Sequence, residues 1–150
     1  MEKMKAVRPR SQDPYISARF AVEFDGKIVA GFSEVTGLQV EIDVEEYREG
    51  GLNGYIHRFA GKARYPARLV LKHGFFDSRE MWKWQNGIIE GNIQRKNVSI
   101  VLHNDQGDEK ARWNIDKAYP VKWSGPDFRA HAAEIALETL ELVHNGFTRA

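Results

Sequence analysis

The stretch Gly74–Gly91, GFFDSREMWKWQNGIIEG, reads as an α-helix, and its position between strand signals decides the fold class. Asp77 is a suitable N-cap, because its carboxylate can accept first-turn N–H groups, and Glu80 three residues on completes a capping box. Met81, Trp84 or Gln85, and Ile88 recur at helical spacing, while Trp82 with Ile89 repeats the stripe one residue over. One broad apolar face is therefore expected over residues 78–90, with Met81, Trp82, Ile88 and Ile89 as its packing positions. Trp82 and Trp84 point about 200° apart on the helical wheel, so one is core and the other is partly exposed or in a subunit contact. Gly91 stands where a left-handed residue ends such a helix. The rod has a greasy side and needs a sheet to cover.

Working outward, the flanking segments supply that sheet. From Tyr15, the residues Ile16, Ala18, Phe20, Val22 and Phe24 alternate with polar neighbours, which is the period of a half-buried strand. Asp25-Gly26 is a tight hairpin turn, and residues 28–32 form the expected returning strand. A second alternation places Leu38, Val40, Ile42 and Val44 opposite Glu41, Asp43 and Glu45. The glycine-rich segment that follows, residues 47–54, reads as an extended loop. Residues 65–73 form a strand entering the helix, and residues 97–103 and 110–123 form a second hairpin around the turn cluster 104–108. Residues 132–144 favour a helix by propensity but admit a strand reading. Strands on both sides of one helix, without regular βαβ alternation, speak for a mainly β, antiparallel α+β fold.

The totals describe a single domain. The chain has 150 residues, 42% hydrophobic and 29% charged, enough for one core. Residues 1–14, with Lys3, Lys5, Arg8 and Arg10, read as a flexible arm, leaving 15–150 as the domain. A nucleic-acid-binding tail is the sharper reading of those four charges, but no aromatics interleave them. A net charge of +1 selects no polyanionic partner. The absence of cysteine excludes disulfides, thiolate metal sites and thiol catalysis. No apolar run reaches spanning length and the N-terminus lacks the core of a signal peptide, so a cytoplasmic product that does not leave by the general secretory route is expected.

Catalytic and cofactor signatures are weak throughout. The acidic row Glu41, Asp43 and Glu45 invites a cation-site or acid–base reading, yet same-face residues on a strand stand about 7 Å apart and no ligand cluster completes a site. A solvated face, or a patch for a basic surface on another subunit, suits them better. The five histidines are spread singly, and Ser33 and Ser124 lack a nucleophile elbow. No catalytic, cofactor-binding or metal residue is expected.

A set of segments in fixed order carries more information. FSEVTGL at 32–38, EYREGG at 46–51, FAG at 59–61, LVLKHG at 69–74, Trp82 on the helix and LEL at 140–142 together resemble the tail tube protein family of contractile phage tails and phage-tail-like injection systems. The resemblance covers residues 14–146. It implies an antiparallel β-sandwich or barrel with one flanking helix, similar to the type VI secretion tube protein, forming hexameric rings that stack into a hollow tube. It also implies that 132–144 is a strand. Glu46, Tyr47, Arg48, Gly50, Gly51, Asn53, Gly54, Tyr55 and Phe59 match the family's extended inter-ring arm. The acidic row would face the lumen or a neighbouring subunit. Implied partners are further copies of the chain, the sheath protein, baseplate and tail-terminator proteins, and a protein or DNA cargo in the lumen, within a virion tail or a released injection particle. The competing readings are a monomeric β-barrel holding a small apolar ligand, a small hydrolase using the strand carboxylates, and a tube-initiating ring of the baseplate.

Overall fold

A computed structural model describes residues 19–29, 31–48, 56–74, 79–130 and 136–150. The N-terminal arm, the start of the first expected strand, Asp77 and the first part of the 132–144 segment lie outside them.

In chain order the elements are β1 (Arg19–Phe24), β2 (Lys27–Val29), β3 (Phe32–Thr36), β4 (Glu41–Arg48), β5 (Ile56–Arg64), β6 (Leu69–Gly74), α1 (Glu80–Ile89), β7 (Lys96–His103), β8 (Glu109–Ser124), β9 (Leu137–Val143) and β10 (Phe147–Arg149). Eight strands make one sheet in the order β2-β1-β7-β8-β9-β6-β3, with β10 added beside β8. Each described pairing is antiparallel. The two ends of that order, β2 and β3, follow each other in the chain across residues 30 and 31, so the sheet curls back on itself into a barrel. The Gly74 N–H donates to Gly31 O at 3.0 Å and carries the β3–β6 pairing into the corner.

Local chemistry accounts for the turns. Asp25 (φ 49°) and Gly26 (φ 81°) are both left-handed, the signature of a type I′ hairpin that matches strand twist. The expected returning strand 28–32 is divided by the corner, because residues 27–29 pair with β1 whereas 32–36 pair with β6. The long β8 serves two neighbours in turn, β7 up to Ala118 and β9 from Tyr119. Its bend falls where Lys117 adopts φ 48°. Strands β9 and β10 run along one edge of β8 in the same register, and the Asp116 N–H donating to Gly146 O (2.8 Å) bridges the gap between them. Residues 137–143 are thus a strand, as the family resemblance implied against propensity: pairing with both β6 and β8 outweighs a preference of a few tenths of a kcal/mol per residue.

Alternate residues of the strands point inward. Val22, Phe24, Leu69, Leu71, Val98, Ile100, Ile115, Leu140 and Leu142 form the core, joined by Met81 and Trp84 from the helix. These side chains fill the barrel. One buried polar cluster lies among them: His73 Nδ1 is 3.1 Å from Glu138 Oε1, and Trp123 Nε1 donates to Glu138 Oε2 at 3.0 Å.

The helix differs from expectation at its start and in its facing. Arg79 is the N-cap residue and makes no side-chain capping bond. The C-terminus is as read: Gly91 (φ 87°) donates to Ile88 O and Asn92 to Gly87 O, a complete Schellman motif. Of the expected packing positions only Met81 is buried. Trp84 and Gln85 complete the inward stripe, while Ile88 is half-buried and Trp82 and Ile89 are 41% and 64% exposed. The reason is the partner available to each indole. Trp84 meets Phe24 edge-on at 5.2 Å and its Nε1–H donates to Gln94 O at 2.7 Å, whereas Trp82 meets the edge of Trp123 at 4.9 Å. Trp84→Ala is therefore expected to cost about 3–5 kcal/mol of unfolding free energy, and Trp82→Ala clearly less; urea melts of the two variants check this order.

Candidate assembly surfaces

Of the residues singled out from sequence, Glu41, Asp43, Glu45, Glu46, Tyr47, Arg48 and Phe59 lie on the hairpin β4–β5. It forms a separate two-stranded sheet. Its root is set by Gly37, which has φ 102° and lies so close to β6 that an added Cβ would fall on the carbonyl oxygen of Arg68. Only glycine permits that approach, which takes the chain from β3 into the projecting ribbon. A register shift between Ile42 and Val44 leaves Asp43 facing a two-residue bulge on β5, where a Cβ at Gly61 would stand 2.9 Å from Asp43 O.

The expected extended loop over 47–54, within the arm 46–59, is a correction in part. Glu46, Tyr47 and Arg48 continue β4, Phe59 belongs to β5, and only the tip containing Gly50, Gly51, Asn53, Gly54 and Tyr55 lies outside the described residues. Residues 56–64, IHRFAGKAR, carry no clean alternation, so their strand character comes from pairing with β4 rather than from their own pattern.

Cross-strand register sorts the ribbon's side chains onto two flanks. One carries Ile42 and Val44 beside Ala63 and Ala60, followed by Glu46 with Arg58 at 3.8 Å. The other carries the acidic row near the root and an aromatic group near the tip, where the His57 ring lies 6.5 Å from Tyr47 and 6.2 Å from Phe59. Arg64 bridges Glu41 (3.5 Å) and Asp43 (2.5 Å), so a basic side chain of the same chain occupies the place a cation would take. Glu45 makes no ion pair among the described residues. Val40, Ile42, Val44, Tyr47 and Phe59 are each more than half exposed. A lone two-stranded ribbon is at best marginally stable in water.

The brace behind the root is aromatic. Tyr65 packs edge-on against His144 (5.5 Å) and Phe147 (5.4 Å), and the Gly146 N–H donates to His144 Nδ1. Burial pushes the His144 pKa below its ordinary value. A cleft of about 500 Å³ opens beside this brace, lined by Asn97, Ser99, Asn114, Asp116 and Asn145 among others. Its polar groups engage one another, with Ser99 Oγ donating to Asn114 Oδ1 at 2.9 Å and the Lys117 N–H to Asn97 Oδ1 at 3.2 Å. Among the described residues no three His, Asp or Glu side chains converge as metal ligands.

A search of curated protein sequences returned no match. The family model described as T4-like virus tail tube protein gp19 matches residues 16–148. The chain belongs to this tail tube family. Solved structures agree. At 27% identity and a TM-score of 0.82 it resembles a chain of the sheath–tube complex of an extracellular contractile injection system, PVC, in the extended state, over 93% of both chains. A chain of the tube-terminating cap of the anti-feeding prophage is equally similar, at 27% identity and TM-score 0.82 over 99% of both chains. Hcp1 from Flavobacterium johnsoniae, at 17% identity and TM-score 0.55 over 87% of this chain and 94% of that one, shares the fold.

Two outcomes follow from this geometry. Gly37→Ala should lower stability by about 1–3 kcal/mol through the forced left-handed conformation, measured by denaturant unfolding. A histidine whose folded pKa lies below its unfolded value favours folding above about pH 6.5, and that contribution is lost as pH falls through the folded pKa. Between pH 7.5 and 5.5 the wild-type chain should lose more stability than His144→Gln.

Proposed function

We infer that this member of the tail tube family is a non-catalytic, self-assembling subunit of the inner tube of a contractile particle. Copies close into sixfold rings, the rings stack into a hollow conduit, and contraction of an enclosing sheath drives that conduit through a target envelope. The observation that carries this reading is the β4–β5 ribbon, which stands away from a closed barrel with apolar side chains exposed on both flanks. A ribbon of that composition is satisfied only when covered, and ring and stack formation between identical copies covers it. Residues 46–59, Tyr55 and the glycines of the tip included, are the arm that reaches the adjoining ring. The acidic row faces the lumen or a subunit boundary.

The 27% identity to a chain of a sheath–tube complex supports sheath, terminator and baseplate proteins as partners. Protein or DNA cargo would occupy the lumen, assembly would take place in the bacterial cytoplasm, and the product would be a phage tail or a released injection particle. Residues 1–14 act as an arm outside the 15–150 domain. A monomeric ligand-binding barrel is the weaker reading, because core side chains fill the barrel interior.

Negative-stain electron microscopy of the purified chain at high concentration tests the proposal. Rings with sixfold symmetry, or tubes built from them, are expected; a strict monomer overturns it, and rings that never lengthen would instead favour a tube-initiating ring. Deleting residues 50–53 should leave the circular dichroism spectrum and melting temperature near wild type while abolishing stacking.

A further inference from the structure

A second surface of the chain matches the ribbon in both charge and polarity. Between the end of β1, β2, α1 and the start of β7 lies a groove of about 270 Å³. Phe24, Val29 and Trp84 supply its apolar lining, and Lys27, Lys83 and Lys96 its charge. Lys96 Nζ is held 5.1 Å from the centre of the Trp84 ring, so its ammonium is presented beside the apolar part of the groove. Among the described residues Lys27 and Lys83 form no salt bridge and Glu80 is the one acidic group in the lining. Apolar walls rimmed by unpaired lysines suit a segment that alternates apolar and acidic side chains.

Strand β4 is such a segment. Val40, Ile42 and Val44 stand on one side and Glu41, Asp43 and Glu45 on the other, all on a ribbon detached from its own barrel. We propose that the apolar–acidic strand β4 of one copy docks against the Lys27/Lys83/Lys96 groove of the next copy, with Glu45 as its principal charge contact. The proposal rests on the tube reading and deepens it by naming the receiving surface. Groove and ribbon are different parts of the molecule, so the contact is head-to-tail, the kind that propagates around a ring. Complementary charge would set its register, while the lysine stems cover the valine and isoleucine side chains.

Because the chain has no cysteine, both surfaces can be marked uniquely. Full-length chain carrying Glu45→Cys and Lys83→Cys, assembled and treated with a short bis-maleimide, should give a ladder of covalent oligomers on a denaturing gel. The two single variants mixed together should give covalent dimers. Lys27→Glu with Lys83→Glu should reduce the assembled fraction about tenfold or more, since like charges then oppose across the contact, and adding Glu45→Lys should restore assembly. Tubes that form normally from the double Lys→Glu variant, or assembled double-cysteine tubes that run as monomer after cross-linking, overturn the groove assignment while leaving the tube reading intact. A wild-type chain that stays monomeric overturns the tube reading, and this contact with it.

Discussion

Closure of the barrel through residues 27–36 is the constraint on which the rest of the structure depends. This one stretch pairs with β1 through its first part and with β6 through its second, so the two ends of the sheet meet in a single length of chain. Chain connectivity, rather than a hydrogen-bonded β2–β3 seam among the described residues, brings these ends together. Closure also gives the inward side chains of seven strands a common interior, where Leu69, Leu71, Leu140 and Leu142 are fully buried. What remains is the hairpin between β3 and β6, expelled from the barrel at Gly37 because no place is left for it in the closed sheet.

The helix and the polar cluster are consequences of the same closure. The helix packs a narrow stripe of Met81, Trp84 and Gln85, because a small convex barrel offers one line of contact to a short rod. Beneath it, His73 and Glu138 are cross-strand partners on β6 and β9, and Trp123 of β8 ties to the same carboxylate. The Glu138 carboxylate meets both partners, one at each oxygen, which ties β6, β9 and the far end of β8 together.

Apolar exposure falls both on the ribbon, an eight-residue and a nine-residue strand carrying Ile42, Val44, Tyr47 and Phe59, and on the body, at Ile28, Ile89, Ile93 and Phe128. The ion pairs on the ribbon are exposed, and such pairs contribute little net stability, so exchanging them for contacts with another copy costs little. The aromatic brace of Tyr65, His144 and Phe147 stands where β5 rejoins the barrel and fixes the direction in which the ribbon leaves.

Much of the fold was legible because its signals are local. The alternation of Val22 and Phe24, of Val98 and Ile100, and of Leu69 and Leu71 is a property of adjacent residues, as are the Asp25-Gly26 turn and the Gly91 helix end. The order of family segments from Phe32 to Leu142 identified the tail tube family, and the segment around Glu46–Phe59 was marked as its arm. Strand β5 and the short β10 lack alternation of their own and exist because partners far along the chain offer hydrogen bonds. The choice of Trp84 over Trp82 as the core residue, and of strand over helix for 137–143, depends on which neighbour each meets. Periodicity and turn chemistry are written in neighbouring residues and so belong to the sequence; pairing partners, helix facing and the division of β2 from β3 depend on long-range contacts, which exist only once the barrel has closed.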